Sequence, residues 1–451
     1  MTGGALSRWT MSYFAVALMF LMTAETLMAM GYGFPTVATA APETLVVVHT
    51  VTIGWLSLLL CGALFQFAPV LAAKPLRWPR LVLPALACVV LGLGLLLAGF
   101  LQLSGTVELA FPLFVPAGLF LPSGFVLAAF VIAGTLWSAR PLGLPARFVA
   151  VGLAAAMATA GFGVLLATAL SGLASSGELV GYTTDILPFH AAAGLGGWLT
   201  FTAIGVSYRL MPMFMLAPES DRLTSAGVFW CGSIALALLV FVAPLTLLFG
   251  ATTNMVFIAA AILAAIALAL HAADLVLFYR GRKRHKLELN IVAAFGAFGM
   301  LYLAALLTAV LIAAGILAEN VGGLVYLVAF GWLTGLGLSQ LYKIVPFLTW
   351  LECYGPVMGK KPTPRVQELV VEQRGAWWFG LYFVSVLIGT GALLLNWPWS
   401  FRLSAAASLV ATAAIVGELI RARRLTNVEA ERRLPTGVAR PRLFLPATQT
   451  K

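Results

Sequence analysis

Hydrophobic positions along the chain gather into twelve long runs, near residues 11–33, 44–73, 81–103, 114–138, 147–173, 187–216, 225–249, 252–279, 289–317, 321–350, 375–395 and 401–422. Each is bounded by charge, Pro or Gly, and each can supply the roughly 20 apolar residues that a helix needs to cross a bilayer. The second, sixth and tenth approach about 30 residues, so those helices tilt or project beyond the hydrocarbon. None alternates polar and apolar over about ten residues as a barrel strand does. The pattern predicts an all-α polytopic membrane protein of twelve transmembrane helices, with one membrane domain over 1–423 and a tail over 424–451. The first run has no clean small-x-small cleavage site before Gly31 and reads as a retained helix.

Composition sharpens this. Of 451 residues, 61% are hydrophobic and 10% charged, and the mean hydropathy is +1.01. A soluble domain carries about 25% charged residues, so a soluble enzyme is excluded. The formal net charge is +11, but the basic residues flank apolar runs and no nucleic-acid-binding motif accompanies them, so the bilayer, not nucleic acid, is the expected partner. One set of loops carries Lys74, Arg77, Arg80, Arg140, Arg147, Arg222, the Arg280–Lys286 run, Lys360, Lys361 and Arg365. The alternate set carries Glu43, Glu108, Glu178, Asp185 and Glu319 and no Lys or Arg. By the positive-inside rule both termini are expected in the cytoplasm, in the inner membrane of a bacterium. Cys61, Cys88, Cys231 and Cys353 are scattered and form neither a CxxC motif nor a disulfide framework.

The three long runs share a motif. Gly54-Trp55-Leu56-Ser57 leads to Gly62, Phe65, Gln66 and Pro69. Gly197-Trp198-Leu199-Thr200 leads at the same offsets to Gly205, Tyr208, Arg209 and Pro212, and Gly331-Trp332-Leu333-Thr334 to Ser339, Tyr342, Lys343 and Pro346. Small residues let helices approach, the aromatic and cationic positions suit an interface, and the proline is expected to close each helix. Each interval holds four runs, so four-helix units are expected near 11–138, 147–279 and 289–422, repeated in parallel around a pseudo-threefold axis.

With His49 and His190 near the opposite ends of two of these helices, the arrangement resembles subunit I of the haem–copper oxidases, closest to the cbb-type oxidases and nitric oxide reductases. The resemblance implies twelve helices in three arcs and about six histidine ligands on the second, sixth, seventh and tenth helices. This chain has four histidines. None lies on the seventh or tenth helix, where Tyr326 stands at the offset His49 has from its proline. Oxygen or nitric oxide reduction by the family's mechanism is therefore excluded, and no catalytic residues are expected. An accessory role in respiratory, nitric-oxide or metal and haem metabolism is expected, with either no cofactor or one haem b or copper ion.

Imidazole ligands suit haem iron or copper, so His49 and His190 are the candidate cofactor-binding and metal-ligating residues, with Glu25 beside them as an ionisable group within a span. His190 lies two residues further from its proline than His49, a rotation of roughly 200°, so the two rings need not be equivalent. Trp55, Pro69, Trp198, Arg209, Pro212, Trp332, Lys343 and Pro346 are read as structural motif positions, Arg209 and Lys343 as helix-terminal or headgroup contacts. His271 and Asp274, three apart on the eighth helix, share a face and are expected to seat its end. The charged segment 352–374, the longest loop, is a candidate docking site for a respiratory or accessory membrane protein. Two other roles stay open, a transporter of a metal ion or small solute and a structural subunit.

Overall fold

The computed structural model describes residues 9–173, 177–219, 222–434 and 441–444. Its twelve helices long and apolar enough to cross a membrane are α1 (Thr10–Ala29), α2 (Pro42–Ala72), α3 (Pro79–Leu103), α4 (Phe114–Trp137), α5 (Leu144–Leu170), α6 (Leu187–Met215), α7 (Leu223–Leu248), α8 (Asn254–Arg280), α9 (Leu289–Ala313), α10 (Leu317–Val357), α11 (Glu372–Leu394) and α12 (Pro398–Arg423). No strand occurs among the described residues. The chain packs as two compact units, one of residues 1–66 with 287–451 and the other of residues 67–286, with the boundary inside α2.

The repeated motif has a backbone signature that hydropathy does not carry. In each long helix the α-helix gives way to a π-helix over the motif: Thr50–Ser57 in α2, Ala192–Phe201 in α6 and Leu327–Thr334 in α10. A π-helix pairs each amide with the carbonyl five residues back, and it occurs chiefly as short interruptions at functional or strained places. The motif hydroxyl fits that geometry. Ser57 Oγ donates to the Thr52 carbonyl at 2.7 Å and Thr334 Oγ1 to the Ala329 carbonyl at 2.8 Å, each five residues back. Hydroxyls in α-helical stretches, such as Thr349 and Thr390, reach four residues back instead.

The motif glycine also recurs in one setting. A Cβ on Gly54 would meet Phe20 of α1 at 2.6 Å, one on Gly197 would meet Ala155 of α5 at 2.5 Å, and one on Gly331 would meet Met300 of α9 at 3.0 Å. Each long helix is thus seated against the helix before it by a residue without a side chain, the close approach that small residues allow in membranes. The prolines behave otherwise than expected. Pro69, Pro212 and Pro346 lie inside their helices, which continue to Ala72, Met215 and Tyr354. Neighbouring helices and hydroxyl side chains keep backbone groups satisfied around a proline in an apolar environment, so the missing N–H is tolerated.

In the first unit α2 and α10 meet through their π-helical stretches. Trp55 Nε1 donates to Thr334 Oγ1 at 2.8 Å, with both side chains fully buried. A Cβ on Gly337 would press on Leu59 and Trp55, so the backbones run close together at that level. Thr334 therefore accepts from one helix while donating within its own. Replacing it by the isosteric Val leaves the buried indole N–H unmatched, which costs about 1–3 kcal/mol. Thermal unfolding in detergent is expected to show a clearly lower midpoint for Thr334→Val than for Thr390→Val, whose hydroxyl bonds only its own helix; equal midpoints would contradict the cross-helix role.

Candidate functional site

His49 stands at the junction where the α-helical start of α2 becomes π-helical. Its Nδ1 lies 2.8 Å from the Leu45 carbonyl oxygen, one turn back. A carbonyl can only accept, so Nδ1 carries the proton and the neutral ring holds its lone pair on Nε2. Metal-ligating histidines commonly take this form, with the other ring nitrogen pinned to a backbone carbonyl. His190 reaches the same tautomer differently, its Nδ1 lying 3.1 Å from the Thr159 carbonyl on α5. The two histidines belong to different units. No three His, Cys, Asp or Glu side chains converge as a metal site among the described residues.

The resemblance suggests a haem held from both α2 and α10, and the first unit tests its fit. Tyr326, at the place of the missing α10 ligand, stacks on Phe330 at 4.8 Å between ring centroids and meets Phe401 of α12 edge-on at 5.3 Å. Its hydroxyl lies beside Gly389 of α11 and Ser404 of α12. It is thus turned toward α11 and α12. Further along, the Trp55–Thr334 contact joins α2 directly to α10. A haem ligated from both helices does not fit. The donor set admits only a group bound through His49 alone, about two helical turns away from that contact.

Glu25 lies in the same unit, fully buried in α1. Its Oε1 accepts from Thr412 Oγ1 of α12 at 3.0 Å, while Oε2 is buried without a hydrogen-bond partner. All the polar atoms named around it are oxygens, which distinguishes this place from the imidazole site.

The remaining motif and polar residues are structural. Asp274 is fully buried in α8; its Oδ2 accepts from Tyr208 at 2.7 Å and its Oδ1 from Thr224 at 2.5 Å, with the Arg222 guanidinium 4.0 Å away. The ring of His271, also buried, meets Tyr208 edge-on at 5.6 Å. This cluster ties α6, α7 and α8 together. The motif cations pair with protein carboxylates, Arg209 with Glu219 and Lys343 with Glu288 just before α9. Beside Lys343 lies a cavity of about 20 Å³, lined in part by Glu288, Asn290, Tyr342 and Gln367, which has room for about one water and none for a solute. Trp198 and Trp332 are buried core residues.

Segment 352–374, a candidate surface for another protein, packs against the chain's own tail. Cys353, Tyr354 and Leu369 form a buried cluster with Ala422, Leu425 and Val428. Tyr354 Oη donates to the Arg433 carbonyl at 2.6 Å, and Asn427 Nδ2 to the Leu369 carbonyl at 2.9 Å. Arg432 pairs with Glu368 and Glu429; the hydrogen bond to Glu429 and the two negative charges raise the guanidinium above its ordinary pKa. Arg423 is the anchor: it pairs with Glu352 at 2.8 Å, donates to Thr349 Oγ1 at 3.1 Å and also reaches the Arg442 carbonyl. Sequence reasoning missed this clamp because its members lie up to about 90 residues apart and follow no periodic pattern.

Removing one partner of a buried ion pair strands the other. Arg423→Met is expected to cost on the order of 3 kcal/mol and to speed trypsin cleavage within 424–434. Cleavage at the wild-type rate would contradict the clamp. In comparisons with known proteins, no family model matches this chain and no curated protein matches it.

Proposed function

We propose that the chain is a membrane protein of haem–copper-oxidase-like fold that lacks oxygen-reducing chemistry and serves an accessory role in respiratory, nitric-oxide or metal and haem metabolism. Its setting on this reading is a bacterial cytoplasmic membrane, with both termini in the cytoplasm. The observation that carries it is the hydrogen bond from His49 Nδ1 to the Leu45 carbonyl, which fixes the ring and sets the lone pair on Nε2. His49 would hold one haem b or copper ion, a group that supplies one-electron redox chemistry when bound. The protein's own part is to orient the imidazole through the Leu45 carbonyl and to keep the α2–α10 contact closed beyond it. A second reading, transport of an ion, is favoured by the buried carboxyl of Glu25.

Oxidised and reduced absorption spectra of protein purified from cells supplied with iron and copper, with metal analysis, test the first reading. A Soret band or stoichiometric copper is expected, lost in His49→Ala. A colourless, metal-free wild type would overturn it.

A further inference from the structure

Glu25 is the sixteenth of the 20 residues of α1, so an ionisable group stands well inside an apolar span and is completely buried there. Side chains of this kind are costly to keep in a membrane and mark ion or proton pathways unless they are paired. Glu25 has few partners: Oε1 accepts from Thr412 at 3.0 Å, the Ser408 hydroxyl lies near the carboxyl but donates to the Ala405 carbonyl, and Oε2 accepts no hydrogen bond. A second polar atom in the same core is also unsatisfied, the hydroxyl of Tyr326, within electrostatic range of the carboxyl.

The charges that could neutralise a Glu25 anion are placed elsewhere. On α12, Arg402 bonds the carbonyl of Ala29, the last residue of α1, and Glu418, toward the other end, is paired with Arg374 and Arg421. On α2 the titratable groups are Glu43, in its first turn, His49, bonded to Leu45, and the buried thiol of Cys61. The remaining titratable neighbours are the phenols Tyr326 of α10 and Tyr382 of α11, the latter donating to the Phe330 carbonyl at 2.9 Å. A metal cation is disfavoured by the donor set: no three His, Cys, Asp or Glu side chains converge among the described residues, whereas hard cations take several carboxylate or carbonyl oxygens.

We propose that Glu25 is a site for one exchangeable proton in the core of the first unit, with Thr412 fixing one carboxyl oxygen and the other, Oε2, left to carry the proton. The neutral acid keeps its hydroxyl on Oε2, because Oε1 already accepts from Thr412. Release breaks the Oε2–H bond and leaves a carboxylate and one proton, so no oxidant or reductant is required. The proposal does not depend on whether His49 holds a cofactor.

Infrared difference spectra of the full-length protein in lipid, perfused between neutral and alkaline buffer and between H₂O and D₂O, test it. The expected result is a carboxylic-acid carbonyl band that shifts in D₂O, gives way to carboxylate bands at alkaline pH, and is lost in the isosteric Glu25→Gln. Thr412→Val is expected to shift the band without removing it. Retention of the wild-type band in Glu25→Gln would overturn the assignment. A Glu25 band that neither exchanges nor titrates would show a sealed structural acid and overturn the proton-site role. Glu25→Asp, which keeps the carboxyl, is expected to restore a displaced band if Glu25→Gln fails to fold. All of these readouts can be taken on cofactor-free protein.

Discussion

The hydrogen bond from Trp55 to Thr334 sets the organisation of the first unit. It joins α2 to α10 at the level where both helices are π-helical, and each partner depends on that backbone. Thr334 can accept from the indole because its own proton is committed to the carbonyl five residues back, which only π geometry brings into line. The motif glycines complete the arrangement by letting α1 and α9 lie against α2 and α10. Buried indole and hydroxyl groups must find partners in an apolar interior. A single cross-helix bond satisfies both, beside the closely packed backbone around Gly337.

That arrangement bears directly on function. A protein built to suspend a large planar cofactor between two helices keeps them apart and arms both with ligands. Here the helices touch, Tyr326 is turned toward α11 and α12, and α10 offers no imidazole. What the first unit holds is one histidine in a ligand-competent tautomer and, separately, a buried carboxyl with one hydroxyl donor and one unpartnered oxygen. These sites differ in chemistry: an imidazole lone pair favours iron or copper, whereas a lone buried carboxyl favours a proton.

Much of the fold was legible in the sequence. All twelve helices fall where the apolar runs place them, because hydropathy over about 20 residues is the dominant signal in a membrane chain. The shared motif was legible as a pattern, and its small residues as helix contacts. Its π-helical backbone was not, since the hydroxyl that betrays it reads equally well as a helix-packing Ser or Thr. The prolines were misread as terminators because a local rule for water-exposed helices was applied inside a packed bundle. For the site, His49, His190 and Glu25 were found by residue type and depth alone. Their partners Leu45, Thr159 and Thr412 could not be, the last being 387 residues from Glu25. The packing of segment 352–374 on Ala422, Leu425 and Val428 was equally out of reach, because those partners lie far along the chain and follow no periodic pattern.

The most direct test of this organisation is a cryo-electron microscopy map of the protein in a lipid nanodisc, at a resolution that separates side chains. The expected map has continuous density from the Trp55 indole to Thr334, with α2 and α10 in contact and π-helical at that level. Planar macrocycle density between the two helices, with Trp55 displaced from Thr334, would contradict it.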